Sequence, residues 1–288
     1  MVTDLNLLTV DLEEWFVVEA LAGRHTYEDW ERLPSTVEKN CLRLLELFRR
    51  HDVQATFFVL GYVAQQYPNL IETIHTAGHE VACHSFFHRR VDSLDREEFR
   101  LDTRRAMNAI TKACGVRPLG YRAPSWSIND STGWAFEVLS DLGFEYDSSI
   151  FPIKHDLYGM PKGPREMFRM KFDSGRFLYE VPASTYRVAW FNLPIAGGGY
   201  LRHCPYWYSS RIIRKLNRAG RPAVVYVHPW EIDPDPPAIE GLSKLQRLRT
   251  YGSTSILLAK LERLLTDFRF STVMHYIQRR RQQQIGFR

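Results

Sequence analysis

The chain has 288 residues, 44% of them hydrophobic and 25% charged, a balance that fits a folded globular protein and excludes a disordered or low-complexity polymer. The formal net charge is +5 and the pI about 9.0, yet much of the excess sits in runs such as Arg279-Arg280-Arg281, and no helix-turn-helix, RNA-recognition or zinc-finger pattern accompanies it, so a nucleic-acid partner is not expected. The positive balance is compatible with an anionic polymer or with peripheral contact at an anionic membrane surface.

In chain order, Leu5–Asp11, Ala55–Leu60, Glu80–His84, Leu119–Arg122, Phe144–Ser148, Phe177–Val181 and Ala223–His228 read as strands. Helical periodicity falls between most of them. It is clearest over Thr36–Arg50, with Ser35 and Glu38 as a candidate capping box, and over Arg96–Ala113, Ser131–Leu142, Tyr208–Ala219 and Ser255–Asp267. The segments 153–176 and 233–253 lack periodicity and are expected to be long loops, and Gly197-Gly198-Gly199 is expected to be a backbone turn.

This βα alternation predicts an α/β fold with parallel strands, as a barrel or a doubly wound sheet, in a single domain. The four cysteines, Cys41, Cys83, Cys114 and Cys204, show no C-x-x-C spacing and are expected to be reduced. The chain enters a strand pattern at once, without a basic leader, so the expected location is the cytosol. No apolar run reaches the roughly eighteen residues needed to span a bilayer.

The strands end in polar residues: Asp11-Leu12-Glu13-Glu14, His84-Ser85-Phe86-Phe87-His88, Arg122-Ala123-Pro124, Asp147-Ser148-Ser149 and His228-Pro229-Trp230-Glu231. In parallel α/β folds these ends share one rim, where active sites form. On a helical turn after the strand, His84 and His88 would turn both imidazoles to one side, where they could bind a metal. Such a pair needs an oxygen ligand. Strand alternation puts Asp11 and Glu13 on one face and Glu14 on the other, which favours Glu13 and leaves Glu14 open.

The order of these motifs resembles the NodB-type polysaccharide deacetylases of carbohydrate esterase family 4, over roughly residues 9 to 231. Thr9–Phe16 stands where that family has Thr-Phe-Asp-Asp, His84–His88 resembles its His-Ser/Thr-x-x-His motif, and Arg122–Pro124 its Arg-x-Pro. Tyr146–Pro152 and Val227–Glu231 are similar to a sub-branch found with bacterial exopolysaccharide and exosortase loci, which carries an extra C-terminal region. This chain departs from the family at Leu12, where the second Asp of the familiar pair is absent.

The resemblance implies a distorted (β/α) barrel of about seven strands over residues 1–232, with residues 233–288 as an extension packed on the same domain. It also implies a metal-dependent hydrolase that removes acetyl groups from an N-acetylated polysaccharide or its lipid-linked precursor. The expected metal is zinc, with cobalt or nickel as alternatives, held by Glu13, His84 and His88. Asp11 would be the general base, Arg122 the group that keeps it ionised and oriented, and His228 the general acid. Asp147 is a candidate to orient or charge His228. A backbone N–H near Ser125 would stabilise the oxyanion, and Ser125, Trp126, Asp147 and Trp230 are the expected substrate contacts. The alternatives are an allantoinase-like amidase on a small substrate and a silent carbohydrate-binding protein.

Overall fold

Leu5–Leu12 (β1) is buried from Asn6 onward, on both faces, as expected of a strand in the middle of a parallel sheet covered by helices. In the computed structural model, which describes residues 5–285 apart from 157, 196, 240, 245, 248–251 and 253, β1 lies between two parallel neighbours. Thr56–Val59 (β2) flanks it on one side, and Val224–Val227 (β10) flanks it on the other. The sheet continues from β2 through Glu80–Cys83 (β3), Gly120–Tyr121 (β4), Tyr146–Asp147 (β5) and Phe177–Glu180 (β7), all parallel, and ends on Phe168–Lys171 (β6), antiparallel to β7.

The seven parallel strands along this path are the seven expected, curled into an open half-barrel whose path begins at β10 and ends at β6. Strand β6 corrects the reading of 153–176 as loop. Its Phe168 and Met170 are half-buried while Arg169 and Lys171 are exposed, the period-2 pattern of an edge strand in only four residues. Part of the second expected loop, 233–253, lies outside the described residues.

Side-chain alternation sorts the strands. Leu8, Val10, Leu12, Phe57 and Val59 face outward into the main core. That core includes residues of the helices Val37–Arg50 (α1), Gly61–Gln66 (α2), Pro68–Thr76 (α3), Arg96–Cys114 (α4), Trp134–Asp141 (α5), Gly198–His203 (α6), Tyr206–Arg218 (α7) and Thr254–Asp267 (α8). Leu7, Phe58, Ala82, Tyr146 and Val224 face inward and fill the lower barrel. A Cβ on Gly120 would lie 2.0 Å from the Tyr146 ring, so only glycine admits that ring at this level.

The barrel floor is closed by the C-terminal segment. Arg269–Ser271 (β11) pairs parallel with Leu5–Leu7, and Val273, Tyr276 and Ile277 of Val273–Ile285 (α9) join the inward cluster. Glu80 anchors the start of α9: its carboxylate accepts from Thr56 Oγ1 (2.6 Å), Tyr146 Oη (2.6 Å) and Met274 N–H (3.0 Å). A carboxylate at a helix N-terminus is favourably placed against the helix dipole.

Helix α1 is not capped by the expected Ser35–Glu38 box, because its N-cap Thr36 makes no side-chain capping bond. Glu14 does this from a distance, accepting from Ser35 Oγ and from Thr36 N–H (3.2 Å).

Beside α1, His79 packs edge-on against Phe48 and Phe57, and its Nδ1 accepts from Ala55 N–H at 3.1 Å. Burial pushes its pKa from 6.5 down to about 4. Between those two values the unfolded chain binds a proton that the folded chain excludes, so stability is full above pH 6.5 and is lost as pH falls toward 4. The loss should approach about 3 kcal/mol. Thermal midpoints at pH 7.5 and pH 5 should fall further for the wild type than for His79→Gln; equal falls would remove His79 as the cause.

Candidate active site

Glu13 continues the line of β1 past Asp11, so the pleat turns both carboxylates toward the barrel mouth while Leu12 enters the outer core. Glu13 Oε2 lies 2.8 Å from His88 Nε2 and 3.5 Å from His84 Nε2. These three side chains form the one candidate metal cluster among the described residues, their ligand atoms all within 4.8 Å of one another. Glu14 points the other way, to α1.

His84–His88 is not a helical turn. It is an irregular loop with left-handed backbone at Ser85 (φ 65°) and His88 (φ 55°), a conformation that costs energy for non-glycine residues and persists only where surrounding contacts impose it. Asp102 of α4 imposes it, accepting from Ser85 Oγ (2.7 Å), Phe86 N–H (2.9 Å) and Phe87 N–H (3.2 Å). No local pattern points to Asp102, which lies on a helix. Asp102→Ala should destabilise the fold by about 3 kcal/mol, read as a lowered denaturation midpoint; an unchanged midpoint would show that the loop holds its own shape.

Arg122 serves both halves of the site. Its carbonyl is 2.8 Å from His84 Nδ1; since a carbonyl only accepts, Nδ1 carries a proton, which leaves Nε2, on the side of Glu13, as the nitrogen that could ligate a metal. Its guanidinium is fully buried. It donates to Asp11 Oδ1 (2.6 Å), Thr9 Oγ1 (2.9 Å), Ser148 O (3.1 Å) and Ser148 Oγ (3.0 Å), and sits 4.0 Å over the Phe58 ring. Asp11 is thereby held in one orientation, with Oδ2 on the side of His228, 3.8 Å from its Nε2.

His228 follows β10 and is oriented by Glu231, whose Oε2 lies 2.8 Å from Nδ1 and also accepts the His228 N–H at 3.0 Å. Glu231 Oε1 is in turn 2.8 Å from buried Arg202 Nε. Burial acts to lower the His228 pKa, but the charges of Glu231 and Glu13, the bond to Glu231 and the charge of Asp11 outweigh it and raise it to about 9. The partner expected for His228 was Asp147, and that expectation is corrected. Tyr146 and Ser148 face the interior, so the pleat turns Asp147 away, where Ser149 N–H (2.9 Å) and Ser149 Oγ (2.7 Å) bond it and Glu180 lies beside it. Asp147 is fully buried and does not line the cleft, so it is not placed to touch substrate.

The other expected contacts do line a cleft of about 720 Å3 over Asp11, Glu13, His84, His88 and His228. Ser125 turns into it with φ 51°, its Oγ donating to Glu19 (2.7 Å). Trp126 contributes an edge only, because its ring packs against Phe151 and Tyr226. Trp230 stacks on His228 (ring planes 25° apart) and its Nε1 donates to Glu13 Oε1 at 3.2 Å. His155, Gly198, Tyr200 and His203 also line the cleft. Gly197, expected in a simple turn, instead bridges to Tyr226 where a Cβ would stand 1.9 Å from the ring, and α6 begins at the next residue.

Comparison with known proteins follows the same division. Residues 25–146 match the family model described as polysaccharide deacetylase, and residues 148–278 match one described as a domain of unknown function, DUF3473. The boundary falls inside the sheet, so the second region supplies β6, β7 and β10, with His228 after it, and the His155, Gly198, Tyr200 and His203 part of the cleft lining. Among curated proteins, the chain is 31% identical over 128 residues to a peptidoglycan deacetylase of Helicobacter pylori, covering 44% of this chain and 43% of that one. It is 28% identical to a peptidoglycan-N-acetylglucosamine deacetylase of Bacillus cereus, over 33% of this chain and 35% of that one. The chain thus spans less than half the length of these relatives.

Among solved structures, a Mycobacterium smegmatis protein assigned to the polysaccharide deacetylases aligns with a TM-score of 0.63 at 21% identity, over 97% of this chain and 92% of that one. An allantoinase aligns with a TM-score of 0.55 at 17% identity, over 90% and 82%. At these identities both likenesses concern the fold. The match to the polysaccharide deacetylase model falls on residues 25–146, the stretch that carries His84, His88 and Arg122.

Proposed function

We propose that this chain is a metal-dependent N-deacetylase that hydrolyses the acetamido group of a GlcNAc-like unit in an exopolysaccharide or its lipid-linked precursor. One observation carries the reading: Glu13, His84 and His88 converge beside an Asp11–Arg122 pair and a carboxylate-bound His228 in one cleft. The names of the curated relatives support the N-acetylated sugar. The barrel over 1–232 carries the chemistry and 233–288 braces it, a division supported by β11 on β1 and α9 in the barrel floor.

The donor set of two imidazoles and one carboxylate suits a divalent ion of the zinc type, with cobalt or nickel as substitutes, and Arg122 O fixes the tautomer that His84 needs for ligation. Such an ion would polarise the acetyl carbonyl and acidify a water. Asp11 takes the proton of that water on Oδ2, Oδ1 being held by Arg122. The water oxygen forms the new C–O bond, and a backbone N–H at the Ser125 turn faces the developing oxyanion. His228, protonated and fixed through Nδ1 by Glu231, gives its Nε2 proton to the departing amine as the C–N bond breaks, leaving acetate and a free amino sugar. Trp230, and the edge of Trp126, contact the sugar ring.

The test is acetate release from N-acetylated oligosaccharides by protein loaded with zinc, cobalt or nickel, against the same protein stripped with chelator. Release restored by metal supports the reading. No release from any acetylated oligosaccharide, together with turnover of small cyclic amides, would replace it.

A further inference from the structure

Thr185–Val188 (β8) and Phe191–Pro194 (β9) form a two-stranded hairpin separate from the main sheet. Its register pairs Tyr186 with Leu193 and Val188 with Phe191, so these four share one face, while Arg187 pairs with Asn192 on the other. Tyr186 packs against the core, but exposure rises steadily toward the tip: Leu193 is 37% exposed, Val188 47%, Phe191 60% and Trp190, in the turn, 77%. A lone two-stranded ribbon buries little by itself, and here its apolar end projects away from the fold. Among the described residues, nothing covers it.

The charge of the segment that holds the hairpin is one-sided along the chain, although Asp267 pairs with Arg214 at 3.1 Å from a neighbouring helix. From Val181 through Trp230 the chain has seven Arg and Lys and no Asp or Glu, although the whole chain has 38 basic and 33 acidic residues. On α7, Trp207 (64% exposed) heads a helical stripe through Arg211, Arg214 and Arg218. Lys215 of the same helix lies 3.3 Å from Tyr186 Oη, and Tyr208 Oη donates to Pro194 O (3.2 Å), so the stripe is tied to the base of the hairpin. No helix among the described residues is long and apolar enough to cross a membrane.

We propose that the β8–β9 hairpin is an interfacial anchor that inserts Trp190, Phe191 and Val188 into the surface of an anionic phospholipid bilayer, with the α7 cations against its headgroups. Tryptophan and phenylalanine beside a cationic surface are what an interfacial site requires. A sugar platform fits less well: Val188 and Leu193 offer no flat face, and the Trp190 and Phe191 rings are tilted 47° to each other. The consequence is positional. Strand β9 leads into Gly198–Tyr200 of the cleft wall, so docking would bring the cleft rim to the lipid surface.

Vesicle sedimentation tests this directly, with phosphatidylcholine containing phosphatidylglycerol against phosphatidylcholine alone. Wild-type chain should pellet with the anionic vesicles, and Trp190→Ser/Phe191→Ser should weaken partitioning about tenfold or more with an unchanged thermal midpoint. Quenching of tryptophan fluorescence by brominated lipid should fall in Trp190→Phe. Hydrolysis of soluble oligosaccharide, where present, should be the same in wild type and variants, so failure of the anchor and failure of the catalytic reading are separable. Absence of wild-type binding, equal binding by the double variant, or binding abolished by soluble dextran sulfate without any dependence on the hairpin would overturn the proposal.

Discussion

Replacement of Asp11 by Asn is expected to lower kcat by about a thousandfold, because the amide cannot take a proton from the attacking water. Shape and position are nearly kept, since Asn Oδ1 can still accept from Arg122 Nη1, so KM and bound metal should change little. Stability will not be spared. Arg122 is fully buried and Asp11 is its anionic partner at 2.6 Å, and uncoupling a buried pair costs about 3–5 kcal/mol, with the retained hydrogen bond favouring the lower end. Three readouts separate the roles: kcat on an acetylated oligosaccharide, metal content of the purified variant, and the denaturation midpoint. A kcat within tenfold of wild type, with metal retained, would remove Asp11 as the base. A kcat loss matched by metal loss would make it a ligand instead.

The adjacent acids should separate just as sharply. Glu13→Gln removes the carboxylate that faces both His84 and His88, and metal affinity should fall by more than the roughly 10–100-fold typical of residues that only support a ligand. Glu14→Gln should leave metal affinity unchanged and instead cost about 1 kcal/mol, through the weaker cap on α1. Competition with a chelator measures the first effect and thermal denaturation the second. If Glu14→Gln loses the metal and Glu13→Gln keeps it, the proposed ligand set is wrong.

The opposite behaviour expected of neighbouring acids follows from the pleat, and it marks how far the primary structure could be read. Strand periodicity placed Asp11 and Glu13 together and sent Glu14 away. The polar ends of the apolar runs placed Arg122, His84 and His228 on one rim. Both inferences are short-range, because the period of a strand and the common direction of parallel strands carry them without any long-range contact. They reached as far as the seven parallel strands of the sheet.

The same reasoning failed where a side chain's partner is set by more than strand period and strand direction. His84–His88 was expected to bring its imidazoles together as a helical turn, but the loop is left-handed at two residues and is held by Asp102 on α4. Asp147 was expected to serve His228. The pleat at Tyr146 and Ser148 turned it away, and Glu231, three residues from His228 and backed by Arg202, took that place. Capping of α1 fell to Glu14 rather than to the nearby Ser35–Glu38 pair.

By itself, then, the amino-acid sequence determined the α/β class, the seven parallel strands, the curled sheet expected from the family resemblance and which residue types gather at its mouth, since local periodicity and strand ends encode these. Only the tertiary structure decided which carboxylate orients which base, how the histidine loop is strained into place, and that a hairpin at 185–194 carries its apolar face into the open. The strained loop and the fixed Asp11 depend on contacts between residues from fifteen to more than one hundred positions apart, such as Arg122 with Asp11 and Asp102 with the Ser85–Phe87 turn; Glu231 is near His228 in sequence, but it is placed with the distant Arg202, and chain folding alone brings such partners together.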